Sequence, residues 1–321
     1  ALHSNAEGNE KAQYFGGIAG ANYGTINNAT NEGKLTAEGA EYVGGIVGLN
    51  GEDNGYVGNL QTVNNKGEVT GDNYVGGVAG KNTVAIGDAK TQFSIDNSGT
   101  VKAVDGGAGG IFGYNEGAIT NVEATNTGDV IGKLADVSAD KENSTGGIFD
   151  TNSGKIENSI FINAGNVTGT TNVGGMIGTN KTGEDGEGAF INSTFTNSGV
   201  VQGTIGVGGV VGTNYAEISG NSKVHNEGVV IGNENVGGVI GINSGSITGS
   251  DAYNSVSGVV IGNENVGGLI GENTEDGIIR GDNNGSYYSD QIYNNGAVVG
   301  GEWKAKLGGA DNSDDWTAVD E

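Results

Sequence analysis

The strongest constraint on this chain is a short motif that returns along almost its whole length. One copy reads Val43-Gly44-Gly45-Ile46-Val47-Gly48-Leu49-Asn50, and the first Gly of the pair recurs at Gly16, Gly44, Gly76, Gly109, Gly146, Gly174, Gly208, Gly237 and Gly267. These nine copies lie 28 to 37 residues apart, the interval of solenoids and propellers. A unit that short cannot bury an apolar face alone, so it must stack on its neighbours, and chain length then sets the length of the array.

Each repeat carries three apolar patches. In the first, the residue after the Gly pair is Ile18, Ile46, Val78, Ile111, Ile148, Met176, Val210, Val239 or Leu269. The second follows a Gly or a loop, as in Gly117-Ala118-Ile119 and Gly154-Lys155-Ile156. The third follows an Asn-x-Gly signal, as in Asn65-Lys66-Gly67-Glu68-Val69. Short runs rich in Val and Ile, bounded by Gly and Asn, read as strands. The expected fold is all-β: a right-handed parallel β-helix (β-solenoid) of about nine coils, roughly 30 residues and three strands per coil, about 43 Å long. A propeller blade needs about 40 residues, more than each repeat supplies.

The repeat domain spans 14–300. An insertion at 133–143 is located by the spacing from the turn Asn to the next Gly pair, usually 11 residues but 20 between Asn126 and Gly146. Residues 1–13 form an N-terminal segment or cap. Residues 301–321, with Trp303 and Trp316, form a C-terminal cap or the start of a next module.

Strict alternation would send Val43 and Ile46 to opposite faces of a strand. A kink or bulge at the Gly pair would bring both inside, with Gly tolerating the φ required. The motif closes on Asn22, Asn50, Asn82, Asn115, Asn152, Asn180, Asn214, Asn243 and Asn273, which are expected to form a structural ladder of side-chain amides. The same is expected of the turn Asn. Two departures, Asp150 in place of a motif Gly and Val256 in place of a turn Asn, are expected to be adjustments within their own coils.

With 14 Lys and Arg against 39 Asp and Glu, the formal charge is −25, which disfavours nucleic acid and anionic membrane surfaces as partners. There is no Cys for a disulfide framework and no apolar run of about 18 residues for membrane insertion. The first five residues show no signal peptide. With His3 and His225 as the only His, zinc sites and nucleophilic triads lack their residues, so no catalytic residue is assigned. Acidic clusters at Glu52-Asp53, Glu184-Asp185-Gly186-Glu187 and Glu275-Asp276 belong to different coils. Calcium is the one cofactor that oxygen-rich loops suggest, with Asp282, Asp311 and Asp315 as candidate ligands. For ligand binding the candidates are Tyr14, Tyr42 and Tyr74, each two residues before a Gly pair. In register they would stack about 4.8 Å apart on the outer face, a stripe suited to sugar rings or a protein partner.

The pattern Gly-Gly-Ile/Val-x-Gly-x-Asn, followed by Gly-x-Ile and Asn-x-Gly-x-Val, resembles the GLUG repeat. Gly268-Leu269-Ile270-Gly271 matches its Gly-Leu-x-Gly core literally, and the resemblance covers about 14–300. It implies a repeat region of bacterial secreted or surface proteins such as filamentous-haemagglutinin-like adhesins, and it transfers no catalytic residue. The expected function is a non-enzymatic extracellular adhesin or stalk module at the bacterial cell surface, meeting a glycan or protein receptor on another cell. The alternatives are a polysaccharide lyase or glycosidase on the same fold, and a surface-layer or filament subunit that self-associates through its ends or edges.

Overall fold

The computed structural model describes residues 12–134, 143–183, 190–280 and 292–300. Among these the chain is all strand and turn, with no helix. It winds as a parallel β-solenoid of about eight turns, roughly 32 residues each, between nine stacked copies of the motif.

Most coils have five short strands where three were expected; in the third, one of the five shrinks to a single bridge at Ile86. In the second coil these are face one (Ala40–Gly44), face two (Val47–Asn50), face three (Asn59–Leu60), face four (Thr62–Asn65) and face five (Val69–Gly71). Faces one, two, four and five each continue through the molecule as a nine-stranded parallel sheet, while face three is divided into sheets of two and six strands. The extra strands arise because the Gly pair bends the first patch into two, and the Asn-x-Gly turn separates face four from face five.

Stacking is in register. Ile46, Val78 and Ile111 form one interior file, fully buried and linked by amide-to-carbonyl bonds of 2.9 Å from Ile46 to Val78 and from Val78 to Ile111. At this bend two successive amides converge on one carbonyl of the next coil: Ile46 N and Val47 N both donate to Val78 O, at 2.9 and 3.0 Å. The register on either side stays one-to-one, Gly44 opposite Gly76 and Val47 opposite Ala79, so of the kink or bulge expected at the Gly pair the structure has a kink, with no extra residue on either strand.

The kink admits both flanking residues to the interior, but to two separate cores. Val43 enters a thin core between faces one and five, zipped by Val69, Val101, Val130, Val167, Val201, Val230 and Val260. Ile46 enters a larger core enclosed by faces two, three and four, where Phe112 stacks on Phe149 and Phe161 on Phe195. The thin core is thin because small residues face the Val files. A Cβ on Gly203 would lie 2.7 Å from Val173 Cγ2.

The reason for the Gly pair also differs from expectation. Neither Gly44 nor Gly45 has positive φ. What excludes a side chain is space: a Cβ on Gly44 would lie 1.9 Å from Val47 O, and one on Gly45 would lie 2.2 Å from Gly77 O and 2.4 Å from Asn65 Cγ. Left-handed backbone occurs elsewhere, as at the corner between faces three and four, where Asn28, Asn121, Asn158 and Asn192 have φ of 50 to 56° and Gly220 and Gly249 stand at the same position. Asn and Gly are the residues that tolerate this conformation, so that corner has its own Asn/Gly file.

Two amide ladders run the length of the solenoid. The expected file from Asn22 to Asn273 lies at the corner of faces two and three, each Nδ2 donating to the Oδ1 of the next coil at 2.8 to 3.0 Å. The turn file, Asn31, Asn65, Asn97, Asn126, Asn163, Asn197, Asn226, Asn254 and Asn294, does the same at 2.7 to 3.0 Å. It lies against the second Gly of each pair, at the waist between the two cores. In most coils of either file the second Nδ2 hydrogen goes to the carbonyl two residues on, as from Asn126 to Gly128 at 2.8 Å. Such side chains are buried at no polar cost because every amide group is used.

Two departures are corrected. Asn254 holds the turn ladder in the coil where Val256 had been aligned with it; the turn there is two residues longer, and Val256 is 87 % exposed. Asp150 is not an adjustment within one coil. Its carboxylate fills space left by Gly107 of the preceding coil, where a Cβ would lie 2.1 Å from Asp150 Oδ2. It accepts a hydrogen bond from Ser144 Oγ in its own coil.

The described ends of the insertion are tied to the next coil, Thr170 Oγ1 donating to Lys133 O at 2.7 Å and Thr171 Oγ1 to Asn143 O at 2.9 Å. The terminal segments 1–11 and 301–321 lie outside the described residues.

Candidate binding surface

Faces one and two meet at the Gly bend at a close angle, so that their outer surfaces line a cleft. The closeness is visible at Gly48, where a Cβ would lie 2.4 Å from Phe15 N of the preceding coil. Only side chains that project beyond the Gly file can occupy the mouth. On face one these are Tyr14, Tyr42 and Tyr74; on face two the outward file is Ala21, Leu49, Lys81, Tyr114, Thr151, Thr179, Thr213, Ile242 and Glu272.

The three expected Tyr do stack. Ring centroids are 5.5 Å apart for Tyr14 and Tyr42 and 5.2 Å for Tyr42 and Tyr74, with interplanar angles of 23° and 10°. Tyr74 holds its place with φ of 46°, in the region where Asn172, Asn235 and Asn265 stand at the equivalent position of later coils. Burial first, and then the Glu41 carboxylate, push the Tyr42 phenol well above its ordinary range, so it remains a hydroxyl donor.

The cleft adds two residues that the Tyr spacing alone did not reveal. Tyr114 meets Tyr74 edge-on at 5.4 Å, and Lys81 Nζ lies 5.5 Å from the Tyr42 ring centre and 5.3 Å from that of Tyr114. A cation held between aromatic faces is favourable electrostatically. Lys81 also pairs with Glu116 at 3.1 Å. The sequence signal was the outward position five residues after each first Gly, which belongs to another face. Toward the later coils the cleft turns polar: Thr213 Oγ1 donates to Asn172 Oδ1 at 2.7 Å, and Asn265 Nδ2 to Asn235 Oδ1 at 2.7 Å.

Adjoining Tyr114 is an open pocket of about 550 Å³, lined by Thr83, Tyr114, Glu116, Ser153, Lys155 and Lys181 among others. Lys155 pairs with Glu157 at 3.3 Å.

The other candidates are placed as follows. Asp282, Asp311 and Asp315 lie outside the described residues, as does the acidic run 184–187. Among the described residues no three His, Asp or Glu side chains group as metal ligands. Glu52–Asp53 forms an exposed antiparallel hairpin with Tyr56–Val57, and Glu275 and Asp276 lie apart from it, in the ninth coil.

His225 stands on the outer surface of face four, its ring 4.1 Å from that of Tyr253. Partial burial lowers its pKa below 6.5, Asp251 opposing and Lys223 reinforcing the shift. The native state therefore favours the neutral ring, and the unfolded chain binds the proton first as pH falls below about 6.5. Stability is expected to fall through that window and on through the lower native value. Melting temperatures at about pH 7.5 and 5.5 should drop less in His225→Gln than in the wild type.

Comparison with known protein families, with curated proteins and with solved structures finds no match to this chain.

Proposed function

We propose that this chain is a non-enzymatic extracellular module of a bacterial surface or secreted protein, an adhesin shaft that presents its Tyr cleft to a glycan or protein receptor. The observation that carries the reading is the Tyr14–Tyr42–Tyr74–Tyr114 stripe, four aromatic rings at a cleft mouth on a rod otherwise built of repeated columns. Flat apolar rings with polar edges suit sugar faces, and stacking on a rigid sheet limits the ordering cost of binding. The sequence resemblance to GLUG repeats supports the same assignment and the surface location.

A carbohydrate-active enzyme is the competing reading. Glycosidases need two carboxylates about 5–10 Å apart, whereas among the described residues that line the pocket beside the stripe the carboxylate is Glu116, already paired with Lys81. A self-assembling filament subunit would draw on the ends of the rod instead.

The test is a glycan array, run with and without calcium, comparing wild type with Tyr42→Ala. Retained glycans should bind wild type at least about tenfold more tightly than the variant, and recovered oligosaccharides should be intact by mass spectrometry. Cleaved products would replace the adhesin by the enzyme. Equal binding by both proteins would remove the stripe from the account.

A further inference from the structure

The rings of the Tyr stripe come one to a coil. Their centroids lie 5.5 Å apart from Tyr14 to Tyr42, 5.2 Å from Tyr42 to Tyr74 and 5.4 Å from Tyr74 to Tyr114. Tyr42 has a stacked neighbour on each face, so a ligand lying along the cleft meets a row of ring edges, each with its hydroxyl, rather than one open ring face. Tyr14 is exposed and the other three rings are half-buried, whereas Thr151 and Thr179, next in the outward file of face two, are buried. The accessible aromatic row therefore spans the first four coils.

A row with this period selects ligands by their own repeat. An extended peptide strand presents a side chain to one face every ~6.8 Å, which falls out of step with the rings within two or three repeats. Nucleic acid is disfavoured by the formal charge of −25. A glycan joined by β-1,4 bonds that are equatorial at both ends of each sugar is an extended ribbon, and its advance per sugar is close to the separation of these rings. The α-1,4 chain of the same sugars coils instead, with a shorter advance. Charge at the stripe favours an uncharged chain: Lys81 is already paired with Glu116 at 3.1 Å, and the Tyr42 phenol donates to Glu41.

We infer that the stripe binds a neutral, extended β-1,4-linked glycan, laid along the solenoid axis with one sugar per coil over Tyr14, Tyr42, Tyr74 and Tyr114. Each sugar rests its C–H groups on a ring edge and exchanges hydrogen bonds with a phenol, and the stiffness of both partners limits the ordering cost. The inference rests on reading the stripe as a glycan surface and names the linkage that such a surface selects.

Calorimetric titration of the full chain tests it with hexasaccharides that differ in linkage. Cellohexaose, chitohexaose, mannohexaose and xylohexaose carry β-1,4 bonds, maltohexaose carries α-1,4 bonds and laminarihexaose carries β-1,3 bonds. The tightest binder should be one of the first four and should exceed both of the others by about tenfold or more. Within its series, affinity should climb from the disaccharide to the tetrasaccharide and level off by the hexasaccharide. Tyr14→Ala, at the exposed end of the row and with its fold verified by circular dichroism, should move that plateau to three sugars. Maltohexaose or laminarihexaose binding as tightly as the β-1,4 chains, a flat length series, or a plateau that stays at four in Tyr14→Ala overturns the one-sugar-per-coil site. If none of the six binds while the glycan array returns Tyr42-dependent ligands of other linkage, the β-1,4 assignment falls and the glycan surface stands. If the array is empty as well, both fall.

Discussion

Gly110→Ala is expected to destabilise the solenoid by about 4 kcal/mol or more, enough to open it at its middle. The added Cβ would sit 2.0 Å from Gly147 O and 2.6 Å from Asn126 Cγ. The first atom is backbone of the next coil and the second belongs to the waist ladder, so neither can give way without shifting a column. Gly24→Ala is the matched control. Nothing lies within 4 Å of its added Cβ and its φ is not positive, so the change should stay within about 0.5 kcal/mol of neutral or stabilise slightly. Urea denaturation of both variants measures the contrast. Similar midpoints would show that packing space is not why the Gly pair recurs.

The second large effect is expected at the amide ladder. Asn126 donates to Asn163 Oδ1 and Gly128 O, both at 2.8 Å, and accepts from Asn97 Nδ2 at 2.7 Å and Gly128 N at 3.3 Å. Asn126→Ala removes all four bonds and strands an amide above and an amide below in a buried site. Each orphaned group costs about 1–3 kcal/mol, so roughly 3 kcal/mol is expected overall. Asn126→Asp should do no better, because it replaces the donor with a second acceptor facing Asn163 Oδ1. Since each coil touches only its neighbours, the loss is local in origin, and hydrogen exchange should show protection falling first in the coils around residues 97–163. An unchanged denaturation midpoint in Asn126→Ala would mean that the ladder follows the stacking rather than stabilising it.

These two positions also show how far sequence alone could carry the fold. Residues that do one job in every coil recur as letters at fixed spacing, which is why the Asn files and the Ile46–Val78–Ile111 column could be read directly. Strands of two to five residues were harder, because two or three positions cannot display an alternation long enough to separate one bent strand from two straight ones. Val43 and Ile46 are both apolar and both buried, and only the bend between them assigns each to its own core. The Gly pair was legible as a constraint, but its cause was not: φ and space leave the same letter in the sequence, and only the distances to Val47 O and Gly77 O separate them.

The site was half legible for a similar reason. Tyr14, Tyr42 and Tyr74 occupy one file and could be found by counting. Tyr114 and Lys81 reach the same cleft from face two, and the angle between two sheets is not written in the spacing of either. The pocket beside Tyr114 was hidden further, since its residues come from four coils, of which Thr83, Glu116, Ser153 and Lys181 share only their place after a ladder Asn. Val256 misled for the opposite reason. Equal distance to the next Gly pair aligned it with the turn Asn, whereas the hydrogen bonds select Asn254, where the turn is longer.

All of these readings depend on successive coils lying in register, and a pair of introduced thiols tests that most directly because the chain has no Cys of its own. Glu123 and Ile160 are exposed Cα partners on adjacent strands of face four, 37 residues apart in sequence. In-register strands place such partners about 4.8 Å apart, within the Cα separation of about 4.4–6.8 Å that a disulfide spans. Glu123→Cys with Ile160→Cys should therefore close under mild oxidation, read as a mobility shift on non-reducing gels. Glu123→Cys with Ile162→Cys, two residues out of register and about 8 Å apart, should remain reduced. Closure of the second pair as readily as the first, or failure of the first, would contradict the stacking.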